Sequence, residues 1–156
     1  MAPETSIRNS VKAVIIQGGR LLCTRNRDEL GDFYLLPGGG QEKFESLHTA
    51  LARECLEEIG ASIEIGELAL VREYVARNHE FAASEPEVHQ IELMFACRLA
   101  PGAVAMNGSA PDSLQTGIEW LELGRLAEYR IYPDILKRVI GADGIIAGRI
   151  YLGDVN

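Results

Sequence analysis

Apolar positions along the chain follow two rhythms. Residues 11–16 and 20–24 are short β-prone runs on either side of Gln17-Gly18-Gly19, a pattern that predicts a hairpin. Residues 26–32 are polar and read as a turn, and the apolar run 33–36 is stopped by Pro37-Gly38-Gly39-Gly40. Residues 45–59 contain no Gly or Pro and repeat at helical spacing, with Gly60 as the stop. Beyond it, 62–76 and 91–99 read as strands, separated by a polar, acidic loop over 77–90. A long Pro/Gly/Ser-rich loop over 101–117 is of the kind that often carries function. A strand around Trp120 (118–123), a helix opening on Pro133 (133–140) and a last strand or ordered tail (148–155) complete the series. Strands and helices mixed in this way predict an α/β class, a mixed β-sheet flanked by helices.

Composition narrows the field. The 156 residues suit a single domain, 1–156. Asp plus Glu number 23 against 15 Lys plus Arg, so the formal charge of −8 opposes nucleic acid and anionic membranes. No stretch approaches the roughly 18 apolar residues of a membrane span, and the polar segment 1–9 lacks a signal-peptide core. Cys23, Cys55 and Cys97 are odd in number and lack metal spacing, which fits reduced thiols in a cytoplasmic protein.

The chemistry concentrates in the helix. Leu47, Leu51 and Cys55 form its apolar stripe, yet Glu54 and Glu58 fall within or beside that stripe, and Glu57 lies at its border. Three acids at i, i+3 and i+4 repel one another, and burying them unpaired costs more still. A solvated acidic face and a site for a hard divalent cation both fit the helix taken alone. The glycines before it favour the second, because they let a backbone approach a ligand and offer carbonyls.

From Gly39 the chain runs GGQEKFESLHTALARECLEEIGA, which resembles the Nudix box, Gly-x5-Glu-x7-Arg-Glu-U-x-Glu-Glu-x-Gly-U, where U is apolar. Gly39, Glu45, Arg53, Glu54, Glu57, Glu58 and Gly60 fill all seven fixed positions, with Cys55 and Ala61 at U. At background usage of roughly 6% per residue type, such a match arises by chance in fewer than about one chain in a million. The approach Leu35-Leu36-Pro37-Gly38 and the segment Asp112-x-x-Gln115-x-Gly117-x-Glu119-Trp120 are also similar to the family's pattern. Phe44 departs from it, standing where many members have Gly.

The resemblance implies an α/β/α sandwich around a mixed sheet and a hydrolase cleaving the pyrophosphate bond of a nucleoside diphosphate linked to another moiety, with Mg²⁺ or Mn²⁺ as cofactor. By position, Glu54, Glu57 and Glu58 would hold the metal with the Gly38 carbonyl. Arg53 would orient the box carboxylates, Glu45 included. Glu54 or Glu57 is the first expectation for the general base, and Asp112 or Glu119 the second. Substrate contacts are expected from Arg25, Arg27, Tyr74, Asp112 and Glu119, against ordinary surface or strand roles for the same residues. Glu92 alternates with Ile91 and Leu93 and is a further candidate for the site. His79 and His89, flanking the acidic loop, offer either a second metal patch or solvated side chains. Where ADP-ribose and dinucleoside-polyphosphate members carry a marker Pro and Tyr beyond the box, this chain has Ala76 and Asn78, so the substrate stays open within the nucleotide class. Two rival readings are a non-catalytic Nudix-like nucleotide-binding or regulatory domain and a prenyl diphosphate isomerase. The apolar tail 145–152 leaves both a homodimer and a self-covered core open.

Overall fold

Gly18 and Gly19, at φ of 58° and 73°, close the first hairpin between β1 (Arg8–Gln17) and β2 (Arg20–Asp28). The computed structural model describes residues 6–156; the first five residues of the polar segment 1–9 lie outside it. The chain continues through β3 (Gly31–Leu35), β4 (Gly38–Gly40), α1 (Leu47–Ile59), β5 (Ile63–Val75), β6 (His89–Leu99), β7 (Gln115–Glu122), β8 (Ile131–Tyr132), α2 (Leu136–Val139) and β9 (Tyr151–Asp154). The strands join in the order β8-β3-β2-β1-β6-β5-β9, with β4 added to β1 and β7 to β2.

The mixed character expected of the sheet is found. β1 lies parallel to β6 and β5 to β9, while β2 and β4 pair antiparallel with β1, and β5 with β6. β1 also changes partners along its length, holding β4 over residues 10–12 and β2 at Ile16 and Gln17. The sheet therefore curls around β1. Alternation along this strand supplies both cores. Val11, Ala13 and Ile15 pack with Phe95 against Ala50, Leu51, Cys55 and Ile59 of α1. Val14, with Leu70 and Met94, faces Leu126, Leu136 and Ile140 on the other side. Helical segments thus cover both faces, as the predicted sandwich requires.

Several boundaries differ from expectation. Residues 26–28 are not a turn: they extend β2, pairing with residues 31–33 of β3, and only residues 29 and 30 turn the chain. Cross-strand pairing overrides the polar composition there. The helix expected over 133–140 is regular only over Leu136–Val139, and α1 begins at Leu47 rather than 45 because Ser46 caps it. The Ser46 hydroxyl accepts the Thr49 N–H at 3.1 Å, a cap of typically about 1 kcal/mol. Gly60, at φ 61°, ends the helix by donating its N–H to the Leu56 carbonyl. The tail 145–152 covers its own core through Ile146 and Leu152, and β9 adds to the β5 edge. Among the described residues no helix is long and apolar enough to cross a membrane.

Asp154 fastens this tail to the loop after β5. Its carboxylate accepts from the Val75 N–H at 3.0 Å, the Asn78 amide at 2.8 Å and lies 2.6 Å from His79 Nε2. Partial burial works against the charge, but these hydrogen bonds prevail and hold the Asp154 pKa down to about 2. A carboxyl depressed in the folded state stabilises the fold fully above its unfolded value of 3.8 and loses that contribution as pH falls towards 2. Asp154→Asn is therefore expected to lower the thermal midpoint by a constant amount above about pH 5, with the gap closing between pH 4 and 2. Thermal unfolding of both chains across that range checks it. A gap that widens on acidification contradicts the assignment.

Candidate active site

The glycine run and α1 form the inner wall. The Gly38 N–H donates to Glu58 Oε2 at 3.0 Å, tying β4 to the last turn of the helix. A Cβ on Gly39 would stand 2.6 Å from the Glu54 carboxyl carbon, so only glycine leaves that space open. Arg53 gathers the other acids. Its guanidinium donates to Glu45 at 2.6 and 3.2 Å, to Glu54 at 2.9 Å and to the Gly40 carbonyl at 3.0 Å, and stands 3.5 Å from Glu57. Arg53 and then the Glu42 N–H hold the Glu45 carboxyl below the usual range. Phe44 precedes it at φ 76° with its ring in solvent. A left-handed backbone is where glycine is free of strain, which accounts for Gly at this position in many members.

Glu58 is only 2% exposed. Burial pushes its pKa up to about 8, partly offset by Lys12 and the Gly38 N–H, and Asp112 beside it adds to the rise. The long loop before β7 brings Asp112 there. Its backbone caps the end of α1: Met106, Gly108 and Ala110 donate N–H groups to the carbonyls of Ile59, Glu58 and Glu57 at 2.9, 2.9 and 3.0 Å. Gln115 adds its amide to the Glu58 carbonyl at 2.8 Å. What reads in sequence as an unstructured connection is a fitted helix terminus.

The opposite wall comes from register. Ser10, Glu92 and Arg72 stand side by side on β1, β6 and β5, and Arg8, Gln90 and Tyr74 form the next row. These residues share the sheet face that buries Val14, Met94 and Leu70 farther along. The face is apolar core at one end and polar floor at the other. Arg72, 5% exposed, donates to Glu92 at 2.8 and 3.2 Å and to the Val155 carbonyl at 2.7 Å; Gln90 adds a bond to the same Glu92 oxygen at 3.1 Å.

Two adjoining cavities result, sharing Leu35, Arg72 and Tyr132. The inner one, about 220 Å³, is polar and bounded by Lys12, Gly38, Gly39, Glu54, Glu92 and Asp112. The outer one, about 340 Å³, is walled by Phe33, Tyr74, Phe81 and Tyr132, with ring centroids 6.1 Å apart for Phe33–Tyr132 and 5.5 Å for Phe81–Tyr132. Burial, with Glu85 nearby, raises the Tyr74 hydroxyl to about 12, so it is a neutral hydrogen-bonding group at working pH.

Of the residues expected at the site, Gly38, Glu54 and Asp112 line the inner cavity and Tyr74 the outer one. Glu45, Arg53 and Glu57 stand behind Glu54, and Glu58 lies beneath Gly38. Arg25, Arg27 and Glu119 line neither cavity. Arg25 pairs with Glu119 at 3.4 Å across β2 and β7, and Arg27 with Asp32 at 3.5 Å on the surface. Glu92 does face the site. His79 and His89 pair with Asp154 and Glu73, and among the described residues no three His, Cys, Asp or Glu side chains already converge as a metal cluster. Arg53 engages Glu54 and Glu57, and the Lys12 ammonium engages the Gly38 carbonyl. None of the three cysteines lines this cleft, and burial pushes the Cys97 thiol up to about 11. Lys12, Arg8, Gln90, Phe33, Phe81 and Tyr132 were not foreseen, because strand register and loop packing place them.

A hard divalent ion fits this donor set. Glu58 and Asp112 are carboxyls in contact, which only a shared proton or a cation makes stable. The space beside Glu54 is one a Cβ would fill, and every candidate donor is oxygen.

Comparisons with known proteins agree with the geometry. The NUDIX domain family model matches residues 7–139. A "MutT-like protein" of Streptomyces ambofaciens is 30% identical over 136 residues, 86% of this chain and 77% of that one. "Nucleoside diphosphate-linked moiety X motif 6" of Mus musculus is 27% identical over 77% of this chain and 36% of its own length. The chain spans less than half the length of the proteins of that name that it matches. Among solved structures, a NUDIX hydrolase from Nitrosomonas europaea superposes with a TM-score of 0.69 at 20% identity, covering 96% of this chain and 81% of the other. A MutT protein from Methanosarcina mazei Go1 gives 0.63 at 21%, covering 86% and 91%. The box, the fold and the family model coincide on the same residues, and the chain belongs to the NUDIX domain family.

Proposed function

We propose that the chain is a Mg²⁺- or Mn²⁺-dependent pyrophosphohydrolase acting on a nucleoside diphosphate linked to another moiety. The observation that carries this reading is a glycine turn flanked by Glu54 and Asp112, with the buried Glu58 beneath it in contact with Asp112, at the polar end of a cleft whose other end is aromatic. Glu54, Glu57, Glu58 and the Gly38 carbonyl would hold the ion, after Arg53 and Lys12 release the groups they now engage. When bound, the ion supplies charge neutralisation for the diphosphate and lowers the pKa of the attacking water.

The chain's own residues do the rest. Arg53 fixes the rotamer of Glu45, which it would keep when Glu54 turns to the ion, and Glu45 in turn holds the loop by accepting the Glu42 N–H at 2.7 Å. Glu54 and Asp112 line the inner cavity, whereas Glu57 lies behind Glu54 and Glu119 pairs with Arg25 elsewhere; Asp112 is in contact with Glu58, which supports Glu54 as the proton acceptor. The aromatic walls offer stacking surfaces for a base or other planar group. The bulk charge of −8 supports a small nucleotide substrate rather than a polynucleotide, and residence in the cytoplasm belongs to the same reading.

A panel of nucleoside diphosphate derivatives, incubated with and without Mg²⁺ or Mn²⁺, tests the proposal. Nucleoside monophosphate should appear for at least one compound, and only with metal. No product from any phosphoanhydride would overturn catalysis and favour a binding module.

A further inference from the structure

Lys12 is a cation placed beside the Gly38 turn without an ion-paired carboxylate of its own, in a cavity that Arg8 and Arg72 also line. It stands on β1 between Val14, which is core, and Ser10, which is polar floor, and its side chain enters the inner cavity. Its ammonium donates to the Leu36 carbonyl at 3.3 Å and the Gly38 carbonyl at 3.1 Å. Among the described residues no carboxylate comes within ion-pair distance of it, although Glu54, Glu92 and Asp112 line the same cavity. An ammonium has three protons, so one remains for a further acceptor in the cavity. Holding loop carbonyls needs no charge, and a half-buried ammonium is costly to desolvate. The charge is matched instead to the site.

We propose that Lys12 is the cation that guards the Gly38 carbonyl and a substrate-positioning residue. Its ammonium occupies the Gly38 carbonyl; were that oxygen given over to a divalent ion, the ammonium would turn to a phosphate oxygen of the substrate. The inference rests on the functional reading above, because it presupposes a divalent ion at the Gly38 carbonyl. It predicts effects of opposite sign on the two ligands. Without Lys12 the ion loses a competitor and a like charge, while the phosphate loses a partner.

The test is Lys12→Met. Mn²⁺ binding to the substrate-free chain, followed by electron paramagnetic resonance, should tighten about fivefold. At saturating metal the KM for a hydrolysed nucleotide should rise about tenfold, with kcat much less affected. A purely structural role in holding residues 36–38 would weaken both. Mn²⁺ bound equally or less tightly by Lys12→Met than by wild type overturns the inference alone. Absence of Mn²⁺ binding by wild type removes the functional reading and the inference with it. A measurement on the wild-type chain keeps the proposal falsifiable if the variant does not fold. The chain has three lysines, Lys12, Lys43 and Lys137, so the lysine ¹³Cε spectrum has three signals. Only that of Lys12 should move on adding Mg²⁺; a bound ion that leaves it in place overturns the proposal.

Discussion

Glu58→Gln is expected to abolish metal-dependent hydrolysis and leave the fold nearly untouched. The two halves of that expectation have one cause. With its pKa pushed up to about 8 by burial, Glu58 is mostly the neutral acid in the metal-free chain at pH 7. An amide of the same shape can still accept the Gly38 N–H, now made at 3.0 Å, and can donate to Asp112. The substitution therefore strands no buried charge, and the thermal midpoint should move little. The amide cannot, however, become the anion that a divalent ion demands. Loss of one such ligand is expected to cost about 10³-fold or more in turnover. Turnover in the metal-supplemented assay and the unfolding midpoint are the two measurements. Near-normal turnover in Glu58→Gln would sink the mechanism.

The largest expected effect on stability belongs to Gly38→Ala. A Cβ there would lie 2.0 Å from the Val11 carbonyl oxygen and 2.9 Å from the Lys12 Cα, both backbone atoms, at a φ of 137°. No rotamer relieves a clash between main chains. β1 and β4 would have to separate, and β1 holds both cores together. About 4 kcal/mol or more is expected, the range in which a small domain can lose its folded state at 37 °C. Gly19→Ala is the control: it also has a positive φ, but a Cβ there meets nothing within 4 Å, so it should cost only the backbone strain of about 1 kcal/mol. Urea unfolding midpoints of the two variants should differ widely. Equal midpoints would contradict the close packing of β4 on β1.

How much of this was legible before the fold depends on the range of the interactions involved. The α1 helix, its apolar stripe at Leu51 and Cys55 and its misplaced acids are local facts, carried by spacing alone, and all reappear. The hairpin around Gly18-Gly19 is equally local. By contrast, Gly38–Gly40 has no strand propensity and pairs only because β1 is beside it. The polarity of residues 26–28 says turn, yet β3 and β7 claim this end of β2 as a strand. The row Ser10–Glu92–Arg72 depends on the register of three strands far apart in sequence. Arg25, expected as a substrate contact, and Glu119, expected as a substrate contact or second-ranked general base, satisfy one another instead.

The helix terminus sealed by the loop before β7 also bears on how such a site diversifies. A Cβ on Gly108 would stand 2.1 Å from the Glu57 carbonyl oxygen, and Gln115 grips both the Glu58 carbonyl and Asn107. That loop is long but has no slack: its length, glycine and glutamine are coupled to the carboxylates that perform the chemistry. The segment carrying Phe81 and Glu85 borders only the aromatic end of the cleft. Alterations of substrate preference, whether by design or by drift, have room at that rim, while the longer loop is the hinge-free mounting of the reactive centre.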